Sequence, residues 1–358
     1  MRLFTWVLVA ILAGLLGLYS YGCFWIGAPA YSGPVTENFD GARFHNVPPV
    51  ERNGFAGFLK WTWTRKPGPW LEWVEAEPGP PPPERVGAGE MRATFVNHST
   101  VLVQMDGLNI LTDPVWSERI GPVSWAGPKR HRLPGIRFED LPPIDVVLVS
   151  HSHYDHMDMP TLIRLRDEHG PRFYTGLGNR AVLAEEGIEA SAEMDWWDET
   201  EIAEGVTLAF VPARHFSGRS LCDRNRTLWG GFVIKGPAGT VYFAGDTGAE
   251  NDFERIRDTY GAPRLAMIPI GAFLPAWFMS PVHTSPAQAV EVHERLHAGT
   301  SIPIHYGTFR LGDDGQFEPV ERLANALIER PQVIPNFWVL GFGEGGPVPS
   351  YSSAKEKE

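Results

Sequence analysis

Residues 151–156 read His-Ser-His-Tyr-Asp-His, so three imidazoles and one carboxylate fall within six positions. They follow Ile144-Asp145-Val146-Val147-Leu148-Val149-Ser150, an apolar run with the length and branching of a buried strand. A strand that stops at such a cluster must turn its polar side chains into a cleft at a sheet edge, because unpaired they are costly beside a core. Imidazole and carboxylate suit zinc best, with manganese or iron also accommodated. Alternate residues of an extended chain point the same way, so His151 and His153 can share one ion. Asp155 and His156, in the turn that follows, can face a second.

Three further residues each stand just beyond a predicted strand. His215 follows Val206 to Val211. Asp246 follows Val241 to Ala244, within Gly245-Asp246-Thr247-Gly248. His305 follows Ile302-Pro303-Ile304. Strand ends gathered at one edge would give three His for one metal, Asp plus two His for the other, and Asp246 shared between them. The chain has only 2 Cys against 12 His. Neither a disulfide framework nor a Cys-rich zinc ribbon can be built from that, and Cys222 reads as an unreactive small side chain.

The remaining pattern is mixed. Ala93 to Val96, the hairpin Val101 to Met105 and Leu108 to Leu111 around Asp106-Gly107, Phe173 to Thr175, Gly231 to Lys235, Leu265 to Ile270 and Phe337 to Leu340 read as further strands. Met159 to Glu168, Asn251 to Tyr260, Ser285 to His297 and Pro319 to Glu329 read as helices. Two sheets packed face to face with helices outside fit this order, although periodicity alone does not select that layout. Residues 28–89 are rich in Pro, Gly and Trp and predict an irregular wrap or linker, with Trp61, Trp63, Trp70 and Trp73 packed on the main domain. Residues 90–350 predict the main domain, and 351–358 a disordered tail.

From Leu3 to Ile26 there is no charge. As a helix that run would span about 36 Å, enough for a hydrocarbon core of about 30 Å. Arg2 precedes it and no cation follows until Arg43, which predicts a cytoplasmic N-terminus with the body across the membrane. In a bacterium that is the periplasmic side. Residues 1–27 therefore read as an anchor, with a cleaved signal, a lipidated Cys23 or a buried helix as alternatives.

The motif resembles that of the metallo-β-lactamase superfamily: His-x-His-x-Asp-His, then a distant His, an Asp and a His. A closer resemblance is to its N-acyl-phosphatidylethanolamine-hydrolysing phospholipase D branch. It is carried by residues 39–46, Asn97-His98-Ser99-Thr100, Leu111-Thr112-Asp113-Pro114, residues 150–158, Gly176-Leu177-Gly178-Asn179 and residues 194–198. Pro212-Ala213-Arg214-His215, residues 223–230, residues 268–272 and residues 304–309 continue it. The resemblance implies a four-layer αββα sandwich in the α/β class, with an N-terminal transmembrane helix added here. It implies two Zn2+ per chain, one held by His151, His153 and His215 and the other by Asp155, His156 and His305, with Asp246 bridging, and it matches His283 to a further active-site His.

A bridging hydroxide between two zinc ions would then attack phosphorus or a carbonyl carbon. Asp155 would orient it, and His283 would contact a substrate oxygen or protonate the leaving group. The bland alternative for His283 is a cap on the helix near Ser285. Tyr154 and the apolar stretch with Phe273, Trp277 and Phe278 are the candidates for substrate contact. Arg214, Arg219, Arg224 and Arg226 read as solvated surface or as a phosphate seat. The expected partners are a phospholipid or other phosphodiester and the membrane, with a homodimer allowed. A net charge of −12 argues against nucleic acid. A lactonase or small phosphodiesterase on the same site, and a non-catalytic envelope protein, are the competing functions.

Overall fold

In the computed structural model, residues 2–51, 53–330 and 336–350 are described. The tail expected over 351–358 lies outside them. Among the described residues, thirteen strands form two sheets. The first sheet takes β1 (Met91–Asn97), β2 (Thr100–Met105), β3 (Leu108–Thr112), β4 (Val146–Val149), β5 (Arg172–Gly176), β6 (Ala190–Met194) and β13 (Gly345–Pro347), in the order β13-β1-β2-β3-β4-β5-β6. The second takes β7 (Glu199–Ala203), β8 (Val206–Val211), β9 (Gly231–Gly236), β10 (Gly239–Phe243), β11 (Leu265–Pro269) and β12 (Thr300–Ile304), in the order β12-β11-β10-β9-β8-β7.

Period-two alternation splits each central strand between two cores. Val101, Val103 and Met105 of β2, with Val146 and Leu148 of β4, face the core between the sheets. Leu102, Val147 and Val149 face the other way, onto α3 (Met159–His169) and α4 (Asn179–Glu185). Strands covered on both faces read as unbroken apolar runs, as residues 146–149 do. Outside the second sheet lie α5 (Phe253–Tyr260), α7 (Pro286–Leu296) and α8 (Glu318–Ile328), with Val290, Leu296 and Leu323 in the core. This is the expected four-layer αββα sandwich. The turn at Asp106-Gly107 has both φ angles positive, 50° and 78°, as a type I′ hairpin requires.

Several expectations change. Phe337 to Leu340 is not a strand; Phe337 makes one isolated parallel bridge to Ser301. Strands β6 and β7 and helix α4 were not predicted. The segment 28–89 is a wrap and not a free linker. Phe39 and Phe44 lie in the main core 4.6 Å apart, Asn46 Nδ2 donates to the His215 carbonyl at 3.0 Å, and Trp70 Nε1 donates to the Asp314 carbonyl. It also holds a helix, α2 (Gly54–Thr64), which packs on α6 (Ala276–Met279). Trp61 is buried, but Trp63 is 92% exposed and does not pack on the domain as expected.

At the N-terminus, α1 (Arg2–Tyr21) ends in a π-helical turn, Gly22–Ile26. Its stretch Phe4–Tyr21 has a mean hydropathy of 1.8, is unburied, and is long and apolar enough to cross a membrane. Cys23 and Cys222 form a disulfide across 199 positions, so Cys222 is a cross-link and not the inert thiol expected.

Candidate metal centre

The strand ends meet as anticipated, and the site can be built one imidazole at a time. Ser150 follows β4, and its N–H donates to Asp113 Oδ1 at 2.7 Å. Its hydroxyl donates to Asp113 Oδ2 at 2.6 Å and lies 2.8 Å from His151 Nδ1. That leaves His151 Nε2 to face inward. There it lies 2.8 Å from His153 Nδ1, and His215 Nε2 is 3.3 Å from the same atom. The other nitrogen of His215, Nδ1, is fixed on the Val282 carbonyl at 3.0 Å.

The second group shares a wall with the first. His156 Nδ1 contacts Asp113 Oδ2 at 2.6 Å, which turns Nε2 toward Asp155 and Asp246, 3.3 Å from each. His305 Nε2 lies 3.3 Å from Asp155 Oδ2 and 3.2 Å from Asp246 Oδ2. Asp246 Oδ2 also lies 3.6 Å from His215 Nε2, so one carboxylate oxygen touches both groups. Gly245, at φ +57°, delivers Asp246; a Cβ there would stand 2.8 Å from Ser150 Cβ. His283 Nδ1 is 3.9 Å from Asp246 Oδ2. It does not cap α7, because Ser285 forms the capping box with Gln288.

Electrostatics separate the groups. Burial, reinforced by His156, pushes His151 well below the usual imidazole range. Burial likewise takes His283 down to about 3. Burial opposes charge on His156 and His305 as well, yet Asp246 and Asp155 win. They raise His156 well above its ordinary value and His305 to about 9. The two carboxylates thus favour positive charge at this end of the site.

Two residues with no assigned role complete the site. His98 Nε2 meets Asp155 Oδ2 at 2.9 Å, and Asp113 supports His156. Both are fully buried and follow strands, β1 and β3, that end at the same edge. That position was the available signal. Their φ angles of 47° and 32°, with 63° at His305, place three buried polar residues in the left-handed region, as strained functional sites often do.

The residues expected to contact substrate scatter. Tyr154 donates to the Arg219 carbonyl at 2.9 Å and lies under its guanidinium. It lines a cleft of about 640 Å³ that also takes in Tyr21 and Ile26. Phe273 is buried beneath Arg322 and packs as a core residue. Trp277 is exposed on α6, and Phe278 stacks on Trp61 at 5.1 Å. The Arg cluster is neither solvated surface throughout nor a gathered phosphate seat. Arg219 holds the Ser152 and Met157 carbonyls, and Arg226 reaches the Ala28 carbonyl.

His156 Nε2, His305 Nε2 and Asp246 Oδ1 are buried without a hydrogen-bond partner. His156 is anchored through Nδ1 on Asp113 while its Nε2 and that of His305 turn toward the carboxylates of Asp155 and Asp246, and such unpaired buried donors and acceptors suit a bound metal. The family described as "Beta-lactamase superfamily domain" matches residues 108–306. The chain belongs to the metallo-β-lactamase superfamily. It is a metal-dependent hydrolase of that superfamily. It is 38% identical over 249 residues to N-acyl-phosphatidylethanolamine-hydrolyzing phospholipase D 1 of Caenorhabditis elegans, covering 66% of this chain and 70% of the relative. The mitochondrial enzyme of that name in Saccharomyces cerevisiae is 32% identical, over 64% of this chain and 50% of its own. Among solved structures, isothiocyanate hydrolase from Delia radicum gut bacteria shares this superfamily fold. It has a TM-score of 0.56 at 19% identity, covering 72% of this chain and 98% of its own.

Proposed function

We propose that the protein is a membrane-anchored binuclear zinc phosphodiesterase of phospholipase D type. Its substrate would be an N-acyl-phosphatidylethanolamine-like phospholipid. The observation that carries the reading is the convergence of seven His and Asp side chains in a chain 38% identical to an enzyme of that name.

In this reading His151, His153 and His215 would hold one Zn2+ and Asp155, His156 and His305 the other, with Asp246 available to both groups. Two zinc ions there would supply activated water and Lewis-acid charge at neutral pH. The chain's own residues set the geometry. Ser150 and Asp113 fix the tautomers of His151 and His156, and the Val282 carbonyl fixes His215. His98 Nε2 holds Asp155 Oδ2, the oxygen that faces His156 and His305, and so fixes the carboxylate that would orient the attacking water. His283, neutral by burial and beside Asp246, is placed to hydrogen-bond a phosphoryl oxygen. Water adds to phosphorus and the phosphorus–oxygen bond to the N-acylethanolamine breaks. The alcohol leaves with a proton, and phosphatidic acid remains.

The same reading divides the chain into an anchor over 1–27, a wrap over 28–89 and a hydrolase domain over 90–350. The domain would lie on the oxidising side of the membrane. The Arg2 asymmetry and the Cys23–Cys222 disulfide both favour that side.

Metal content by elemental mass spectrometry, paired with phosphatidic acid release from mixed phospholipid micelles, tests the proposal. Two zinc ions per chain with phosphatidic acid formed is the expected result. Two zinc ions with turnover of a lactone or a small phosphodiester alone would transfer the site to that substrate class.

A further inference from the structure

Helix α2 carries apolar side chains on both faces. Gly57 and Trp61, one turn apart, are buried against the protein, with Trp61 stacked on Phe278. Phe55, Leu59 and Trp63 are offset from that pair by two residues, about 200° around the helix. They face outward, 68%, 52% and 92% exposed, and Phe58 beside them is 45% exposed. A surface helix normally turns its polar side outward. Trp277, on the neighbouring α6, extends the patch, with Lys60 Nζ 4.6 Å from its ring centroid. Scattered exposed apolar residues need no explanation, but a contiguous aromatic stripe does.

Charge identifies the occupant. From residue 52 to residue 71 the sequence has Arg52, Lys60, Arg65 and Lys66 and no carboxylate, in a chain of net charge −12. Arg65 is paired with Asp313, whereas Lys60 and Lys66 have no ion pair among the described residues. A second copy docked about a two-fold axis would set these cations against their own equivalents. An anionic lipid surface is complementary to them, and aromatic rings flanked by lysine are the residues that settle at a head-group boundary.

We propose that α2 is an interfacial helix that lies in the head-group region of an anionic phospholipid bilayer, burying Phe55, Phe58, Leu59 and Trp63. Trp277 enters with it. Because α2 packs on α6, and α6 ends four residues before His283, docking brings the segment that leads to His283 close to the lipid surface. The inference does not depend on phospholipase turnover, since docking needs no chemistry.

The test uses the full chain reconstituted into vesicles of equal phosphatidylglycerol and phosphatidylcholine, with and without brominated acyl chains. The emission difference between the wild type and Trp63→Phe isolates Trp63 from the other tryptophans. Brominated lipid should quench that difference signal. Leu59→Asp, a change on the exposed face, should restore it, and phosphatidylcholine alone should weaken the quenching several-fold. A difference signal equally bright with and without brominated lipid overturns the proposal. So does a Trp63 that becomes shielded from acrylamide in detergent as protein concentration rises, because that result assigns the face to a second copy. Quenching without phosphatidic acid release would leave this inference standing and remove the phospholipase reading.

Discussion

His151, His153 and His215 form an all-imidazole group, whereas Asp155, His156 and His305 include a carboxylate and rest on two more buried residues, Asp113 and His98. In the first group the outer nitrogens meet neutral partners, the Ser150 hydroxyl and the Val282 carbonyl. In the second, Asp113 stands behind His156 and His98 grips Asp155. The difference is one of charge. Burial pushes His151 below the usual imidazole range, while the carboxylates push His156 and His305 above it against the same burial. Oxygen-richer ligand sets tolerate harder ions, so the two groups are not equivalent places for a metal.

Removing the shared carboxylate should erase that difference. Asp246 Oδ2 touches His156, His305 and His215. Asp246→Ala should therefore lower metal content in both groups. Activity should fall by more than about 100-fold, the upper end of what an outer partner costs. Wild-type zinc stoichiometry and turnover in that variant would exclude Asp246 as the bridge.

Asp113→Asn probes the second group alone. The amide keeps the shape but no longer holds His156 by charge, and a loss of about 10–100-fold is expected. Elemental analysis should find one ion reduced and the other retained. Loss of both ions together would mean that the groups bind as a unit. Metal competition sharpens the same point. Manganese offered with zinc to the stripped protein should enter the carboxylate-bearing group first, read by electron paramagnetic resonance. Equal partition would show that the carboxylate does not discriminate.

The sequence made the imidazole-rich edge legible because six consecutive residues carry it and a buried apolar strand aims it. His215, Asp246 and His305 were legible for the same reason, each standing within four residues of a strand's end. His98 and Asp113 obey that rule too, but neither lies among other ligands, and only tertiary contact shows what they support. Strands β6 and β7 escaped because they lie at sheet edges and carry exposed polar positions. Helix α2 escaped because Gly54 and Gly57 are poor helix formers and its outward face is apolar. The Cys23–Cys222 bond joins residues 199 positions apart, beyond the reach of any local pattern.

The smallest expected effect belongs to the residue that joins the two groups. Ser150 Oγ has one proton. Donated to Asp113, it leaves the oxygen lone pairs to accept from His151 Nδ1–H, which frees His151 Nε2 for a metal. Ser150→Ala removes both contacts, but the Ser150 N–H still holds Asp113 Oδ1. The cost should therefore sit near about 10-fold, at the lower end for an outer partner. It should also be smaller in an Asp113→Asn background, because half of what the hydroxyl does is to orient that carboxylate. Turnover measured over the double-mutant cycle gives the coupling directly. Strictly additive losses would mean that the two groups are oriented independently, and that Ser150 serves His151 alone.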